Sequence, residues 1–159
     1  MSDKDVKIRS ANENDLDAIN QIIEQAVMAW QLPERVKRLA LPSYRYTQLD
    51  MKYFTLVIAE RENTIVGVVA WDIDSHHGPK DSSGLLLHGI YVQPEHQHCG
   101  IGGRLLTEVE NAARRAKMDG VLVKAQNDAV EFFLARGLSK LDAQDLQRDY
   151  ENRYWKQLS

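Results

Sequence analysis

A chain of 159 residues, 43% apolar and 27% charged, is expected to fold as one globular domain over residues 1–159 without metals or disulfides to hold its core. Its 20 basic and 23 acidic residues leave a formal charge of −3, which argues against nucleic acid as the main partner. The single cysteine excludes an internal disulfide framework, no apolar run is long enough to span a bilayer, and Met1–Asp5 opens no signal peptide, so a cytoplasmic protein is expected.

Val6–Arg9 alternates apolar and charged residues, as a half-buried strand does. Asn12 is placed to cap a helix, with Asp15 in a capping-box position. Leu16, Ile19, Ile22, Ile23, Ala26, Val27 and Trp30 recur at three- and four-residue steps, one helical stripe that Pro33 stops. A second, shorter helical region is expected between Glu34 and Phe54, interrupted near Pro42. Thr55–Glu60 and Ile65–Trp71 read as strands joined in a hairpin by residues 61–64. The polar stretch Asp72–Ser83 reads as a loop, and Leu85–Val92 as a strand that Pro94 ends. A glycine segment then opens a helix carrying Leu105, Leu106, Val109, Ala112, Ala113 and Ala116. Val121–Ala125 is a strand, Ala129–Arg136 a short helix closed by Gly137, and two last strands are expected near Ser139–Asp142 and Asn152–Leu158. A hairpin followed by β-α-β-α implies an α/β fold, a mixed sheet with helices on its faces.

Gln97-His98-Cys99-Gly100-Ile101-Gly102-Gly103-Arg104 joins a strand to a helix start. Amides there point out of the first turn, the helix dipole adds partial positive charge, and glycine lets backbone approach a phosphate. Residues alone leave two readings open, an anion site and a plain tight turn. Arg104 either adds charge or faces solvent. The residue three after Gly102 is Leu105, so the dinucleotide pattern G-x-G-x-x-G is not met, and no P-loop is present.

Gln97-His98-Cys99-Gly100-Ile101-Gly102 resembles motif A of the GNAT N-acetyltransferase superfamily, [R/Q]-x-x-G-x-[G/A]. Ile90-Tyr91-Val92-Gln93-Pro94 is similar to the strand that precedes that motif. Asn127, Ala129, Phe132, Gly137 and Leu138 resemble the family's later N-x-x-A-x-x-F-Y-x-x-x-G-F block, with Asn127 and Ala129 one residue closer together than in that spelling, as in the N-x-A form also found in the family. The resemblance covers nearly the whole chain and implies the GNAT fold, a mixed, mostly antiparallel sheet of six to seven strands flanked by about four helices. It implies acetyl-CoA as cosubstrate, with no metal. Residues 97–103, that is Gln97, His98, Cys99, Gly100, Ile101, Gly102 and Gly103, would hold the pyrophosphate. The main chain of Ile90 and Val92 would pair with the pantetheine arm as an added strand, with Tyr91 between them also among the coenzyme-binding residues. Asn127 would bond the arm, and Phe132 would line its channel. Read alone, Asn127 is a turn residue after a strand.

Acetyl transfer to an amine needs a proton acceptor for the ammonium, a donor for the oxyanion, and in some enzymes a proton for the thiolate. His88 is the candidate base, two residues before Ile90 and so on the same strand face, with an ordinary pKa suited to neutral pH. Leu87–Val92 resembles the arylalkylamine acetyltransferase branch, which carries a histidine at this strand position. A histidine among leucines also reads as a buried residue bonded to backbone. The Ile90 amide is the oxyanion donor that the resemblance implies. Phe133 departs from the family, which often has a tyrosine acid there. Tyr91, Tyr150, Tyr154 or water are the candidate substitutes. Cys99 holds a spacer position, and His76, His77, His96 and His98 show no regular metal-ligand spacing.

The acceptor is expected to meet residues 30–54 and 72–83, where Trp30, Tyr44, Tyr46 and Tyr53 offer aromatic surface and Asp72 and Asp74 offer charge for a cationic amine. A small-molecule amine is preferred over a protein, with no nucleic acid or membrane partner, in a monomer or homodimer. Two other readings stay open: a noncatalytic acyl-CoA-binding or sensor domain, and a nicotinamide or nucleotide enzyme using the same turn.

Overall fold

The structure, a computed structural model, describes residues 5–142 and 152–158. Its elements are β1 (Val6–Ser10), α1 (Leu16–Met28), α2 (Glu34–Tyr44), β2 (Phe54–Arg61), β3 (Thr64–His77), β4 (Ser83–Val92), α3 (Ile101–Arg115), β5 (Gly120–Lys124), α4 (Val130–Ala135), β6 (Ser139–Lys140) and β7 (Arg153–Gln157). The strands form one seven-stranded sheet in the order β1-β2-β3-β4-β5-β7-β6. β1–β2, β5–β7 and β6–β7 pair antiparallel, and β4–β5 pair parallel. Links of two and five residues join β2 to β3 and β3 to β4, too short for a parallel crossover, so those neighbours are antiparallel too. This is the mixed α/β sheet with helices that the element order implied, and the four helices among the described residues match the number that the family resemblance implied.

Local chemistry explains most boundaries. Asn12 N donates to the Asp15 carboxylate at 2.8 Å, and the Asn12 side chain accepts from the first turn, closing the expected capping box. That first turn, Glu13–Asp15, is 3-10 before α1 proper begins. α1 buries Ile19, Ile22, Ile23, Ala26 and Val27. It ends two residues short of Trp30, because Lys37 Nζ takes the Met28 and Trp30 carbonyls at 2.6 and 3.2 Å. The β2–β3 turn is only Glu62-Asn63, with φ of 51° and 64°, left-handed as a two-residue hairpin turn requires.

Two expectations need correction. α2 runs through Pro42 to Tyr44. A proline in the last turn deletes one backbone bond, and only two residues remain to lose support. Asp72–His77 is strand rather than loop. Its polar side chains stand half-buried or exposed, and β4 supplies the ladder partner that local sequence does not announce.

Contact density divides the chain into two units, Met1–Ala70 with Gly89–Leu106, and Trp71–His88 with Thr107–Ser159. In the first, Ile19, Ile23, Val27, Leu56, Ile58, Val68 and Tyr91 form the core, with Trp30 and Tyr44 packed on it. In the second, Leu86, Leu122 and Trp155 cluster, and α4 closes with Leu138 N bonded to Phe133 O at 3.1 Å and Gly137 N to Leu134 O at 3.2 Å. Among the described residues no helix is long and apolar enough to cross a membrane.

Candidate functional site

The pairing of β4 with β5 covers Gly84–Leu87 and stops at Leu87↔Val123, while β4 continues to Val92. Burial alternates along this continuation: Leu87, Gly89 and Tyr91 are buried, His88 is exposed, and Ile90 and Val92 are half-buried. His88 and Ile90 therefore share a face, as expected, and His88 is not a core histidine. Tyr91 points the other way, into the first unit's core.

Past Pro94 the chain makes a 3-10 turn over Pro94–His96 and enters the glycine segment. Gln97 is extended (φ −68°, ψ 157°), His98 is left-handed (φ 63°), and Gly100 is left-handed again (φ 83°). Left-handed backbone on both sides of Cys99 makes a tight turn, a conformation able to present successive amides to an anion as a nest. A β-carbon is strained at φ 83°, which accounts for glycine at position 100. α3 begins at Ile101, and its first i→i−4 bond runs from Arg104 N to Gly100 O at 3.1 Å. Ile101 is buried, so its side chain packs inward while its amide belongs to the helix start; Gly102 and Gly103 are half-buried in the first turn. Gln97 donates from Nε2 to Val92 O at 3.3 Å, and the Cys99 thiol lies 3.6 Å from Gln97 O. Arg104 is half-buried and donates from Nη1 to Val6 O at 2.8 Å.

In the second unit, Asn127 opens a 3-10 turn ahead of α4, and its side chain lies outside the described ones. Phe132 is half-buried, edge-on to Phe133 at 5.2 Å, with the Arg136 guanidinium 4.0 Å above its ring. Phe133 is only 2% exposed.

Among the substitute acids, Tyr91 is buried, and burial pushes its phenol above the ordinary range with help from Tyr44. A weakened acid is a poor proton source for a thiolate. Tyr154 is buried on β7 opposite Val123, and Tyr150 lies outside the described residues. The expected aromatic surface is dispersed: Tyr46 is core, Trp30 and Tyr44 meet edge-on at 5.3 Å, and Tyr53 is exposed.

Three pairings had no signal in the sequence. His76 Nε2 donates to the Asp72 carboxylate at 2.9 Å, a pair four residues apart that a loop reading hid. Burial pushes the Asp72 carboxyl up, but the His76 bond, the Asp74 amide and nearby His88 together hold it below the ordinary range. Arg61 Nη1 meets His96 Nδ1 at 3.0 Å. His77 pairs with Asp81 at 3.1 Å. Among the described residues, no three His, Cys, Asp or Glu side chains converge as metal ligands would.

Together these features define an α/β class in which a strand, a nest and a helix start follow one another along the chain. The model of the acetyltransferase (GNAT) family matches residues 20–138, and the chain belongs to that family. The fold is similar to that of the PaiA N-acetyltransferase of Thermoplasma acidophilum solved with coenzyme A (TM-score 0.78, 15% identity, 96% of this chain and 99% of that one). It is also similar to a GNAT-family acetyltransferase from Staphylococcus aureus (TM-score 0.71, 15% identity, 97% and 99%). A third likeness is a Brucella melitensis GNAT-family acetyltransferase in complex with acetyl-CoA (TM-score 0.64, 18% identity, 97% and 88%). A sequence comparison with curated proteins gives no match.

Proposed function

We propose that this chain is a single-domain, acetyl-CoA-dependent N-acetyltransferase acting on a primary amine. The observation that carries the reading is the run from β4 through the nest into α3 in a member of an acetyltransferase family. The loop of residues 97–103 takes the coenzyme's pyrophosphate through its amides beyond Gln97, whose own N–H donates to Pro94 O at 3.3 Å. The main chain of Ile90 and Val92 pairs with the pantetheine arm, and Asn127 and Phe132 contact it, roles carried over from the family resemblance.

His88 accepts a proton from the ammonium. The amine lone pair then attacks the thioester carbon, and the oxyanion takes a hydrogen bond from the Ile90 amide. Collapse breaks the C–S bond, coenzyme A leaves as its thiolate, and the extra proton on the attacking nitrogen passes through water to that thiolate or to solvent. The carboxylate of Asp72, close enough to His88 to feel its charge, favours a cationic acceptor on that side of β4. A small-molecule amine in the cytoplasm fits this site, with the protein a monomer or homodimer.

Phe133 supports a second reading, a noncatalytic acyl-CoA-binding domain, because it leaves no acid where the family often has one. Incubation with acetyl-CoA and a panel of primary amines, following thiol release and product mass, separates the two. The enzyme reading expects turnover with at least one amine and a loss of about 100- to 10,000-fold in His88→Ala. Coenzyme binding without turnover, and no effect of His88→Ala, would establish the second.

A further inference from the structure

Arg61 ends β2 and is 7% exposed, a buried cation that the reaction does not use. Its Nη1 lies 3.0 Å from His96 Nδ1. A guanidinium only donates, so Nδ1 accepts, and the neutral ring carries its proton on Nε2. His96 immediately precedes Gln97, the first residue of the nest. At the other end of the nest, Arg104 donates to Val6 O at 2.8 Å, and Val6 is the register partner of Arg61 on β1–β2. Both ends of the loop are therefore tied to one rung of the same strand pair.

We propose that Arg61, acting through His96, and Arg104 are positioning residues that hold the 97–103 loop ready for its ligand. This rests on the reading that the loop takes a pyrophosphate. A nest with left-handed backbone at His98 and Gly100 is costly to order, and a loop that orders only on binding loses that cost from its affinity. The two ties meet the cost during folding instead. The arginines serve the phosphate without touching it, one through an imidazole and one through a carbonyl.

Calorimetric titration of coenzyme A, and of pantetheine, which has the arm but no pyrophosphate, tests this in wild type, Arg61→Met, His96→Ala, His96→Gln, Arg104→Met and Gly102→Asp. Coenzyme A affinity is expected to fall about tenfold in Arg61→Met, His96→Ala and Arg104→Met, while pantetheine affinity changes less than about twofold. His96→Gln, whose amide oxygen can accept from Arg61, is expected to recover to within about threefold of wild type. Because His96 sits on a half-buried turn, its variants decide the matter if Arg61→Met does not fold. Gly102→Asp tests the loop assignment alone: wild-type coenzyme A affinity there removes the phosphate site itself. Loss of binding in Gly102→Asp with wild-type affinity in His96→Ala keeps the site and overturns the proposal. Equal loss for both ligands in His96→Ala also overturns it, as a general structural effect. Long-range 15N–1H spectra of the imidazoles give a ligand-free check, with His96 expected as the Nε2–H tautomer in wild type and mixed in Arg61→Met. A wild-type His96 protonated on Nδ1 contradicts the proposal.

Discussion

The ring of Phe133 packs edge-on against Phe132 and is almost fully enclosed, so a hydroxyl on its para carbon would enter a space without solvent. Phe133→Tyr is expected to cost about 1–3 kcal/mol in urea denaturation and to leave turnover no faster. A rate increase would show that this position can serve the departing thiolate. His98 holds a left-handed backbone with a β-carbon present. His98→Gly is expected to stabilise by up to about 1 kcal/mol, or to be neutral where the gained freedom of the unfolded chain offsets it. A thermal melt checks this, and a drop of several degrees would mean that the imidazole itself holds the loop. At this scale the sequence was informative where a residue's role is local. Gly100 and Gln97 could be read from their motif, and Asn12 and Asp15 from their spacing. The Arg61–His96 contact could not, since 35 positions separate the partners, nor could Arg104 and Val6, 98 positions apart.

Elements depend on what packs beside them. An ideal β-carbon on Gly120 would lie 2.4 Å from Lys156 O and 2.4 Å from Trp155 Cζ2, and a paired backbone carbonyl cannot withdraw. Gly120→Ala is expected to destabilise β5–β7 by about 1–3 kcal/mol, seen as a fall in Tm of several degrees. A Tm within one degree of wild type would mean that Trp155 and β7 shift freely. Removing the cap of the 3-10 turn that leads into α1, in Asn12→Ala, is expected to cost about 0.5–2 kcal/mol in the same measurement. Strands and helices with strong apolar periodicity, such as α1 and β4, could be read from the chain alone. The outer half of β3 could not, because Asp72, Asp74, Ser75, His76 and His77 are strand only by virtue of their ladder with β4. That misreading also concealed the Asp72–His76 pair beside His88.

At the scale of the molecule, Asp15 joins the start of α1 to β1 through two 2.9 Å bonds from Arg9, which also reaches Glu60. The Arg9 bonds, opposed by burial and helped by the Asn12 amide, hold the Asp15 carboxyl below its ordinary value. A carboxylate depressed in the folded state contributes stability that is complete above the unfolded pKa, about 3.9, and is lost as pH falls through the folded value. Urea midpoints are therefore expected to fall below about pH 4 in wild type and to fall less steeply in Asp15→Asn. Equal slopes would remove Asp15 from the acid response. The family could be read from two short blocks, around Gln97 and around Asn127, because their residue types recur at a fixed spacing. The acceptor could not, because residues 30–54 and 72–83 are placed by tertiary packing.

The loop from Gln97 to Gly103 is proposed to hold the coenzyme, and backbone 15N–1H spectra recorded as coenzyme A is added test this directly. The largest amide shifts are expected on residues 97–103 and on Ile90–Val92. Shifts that cluster elsewhere, with these amides unmoved at saturation, would contradict it.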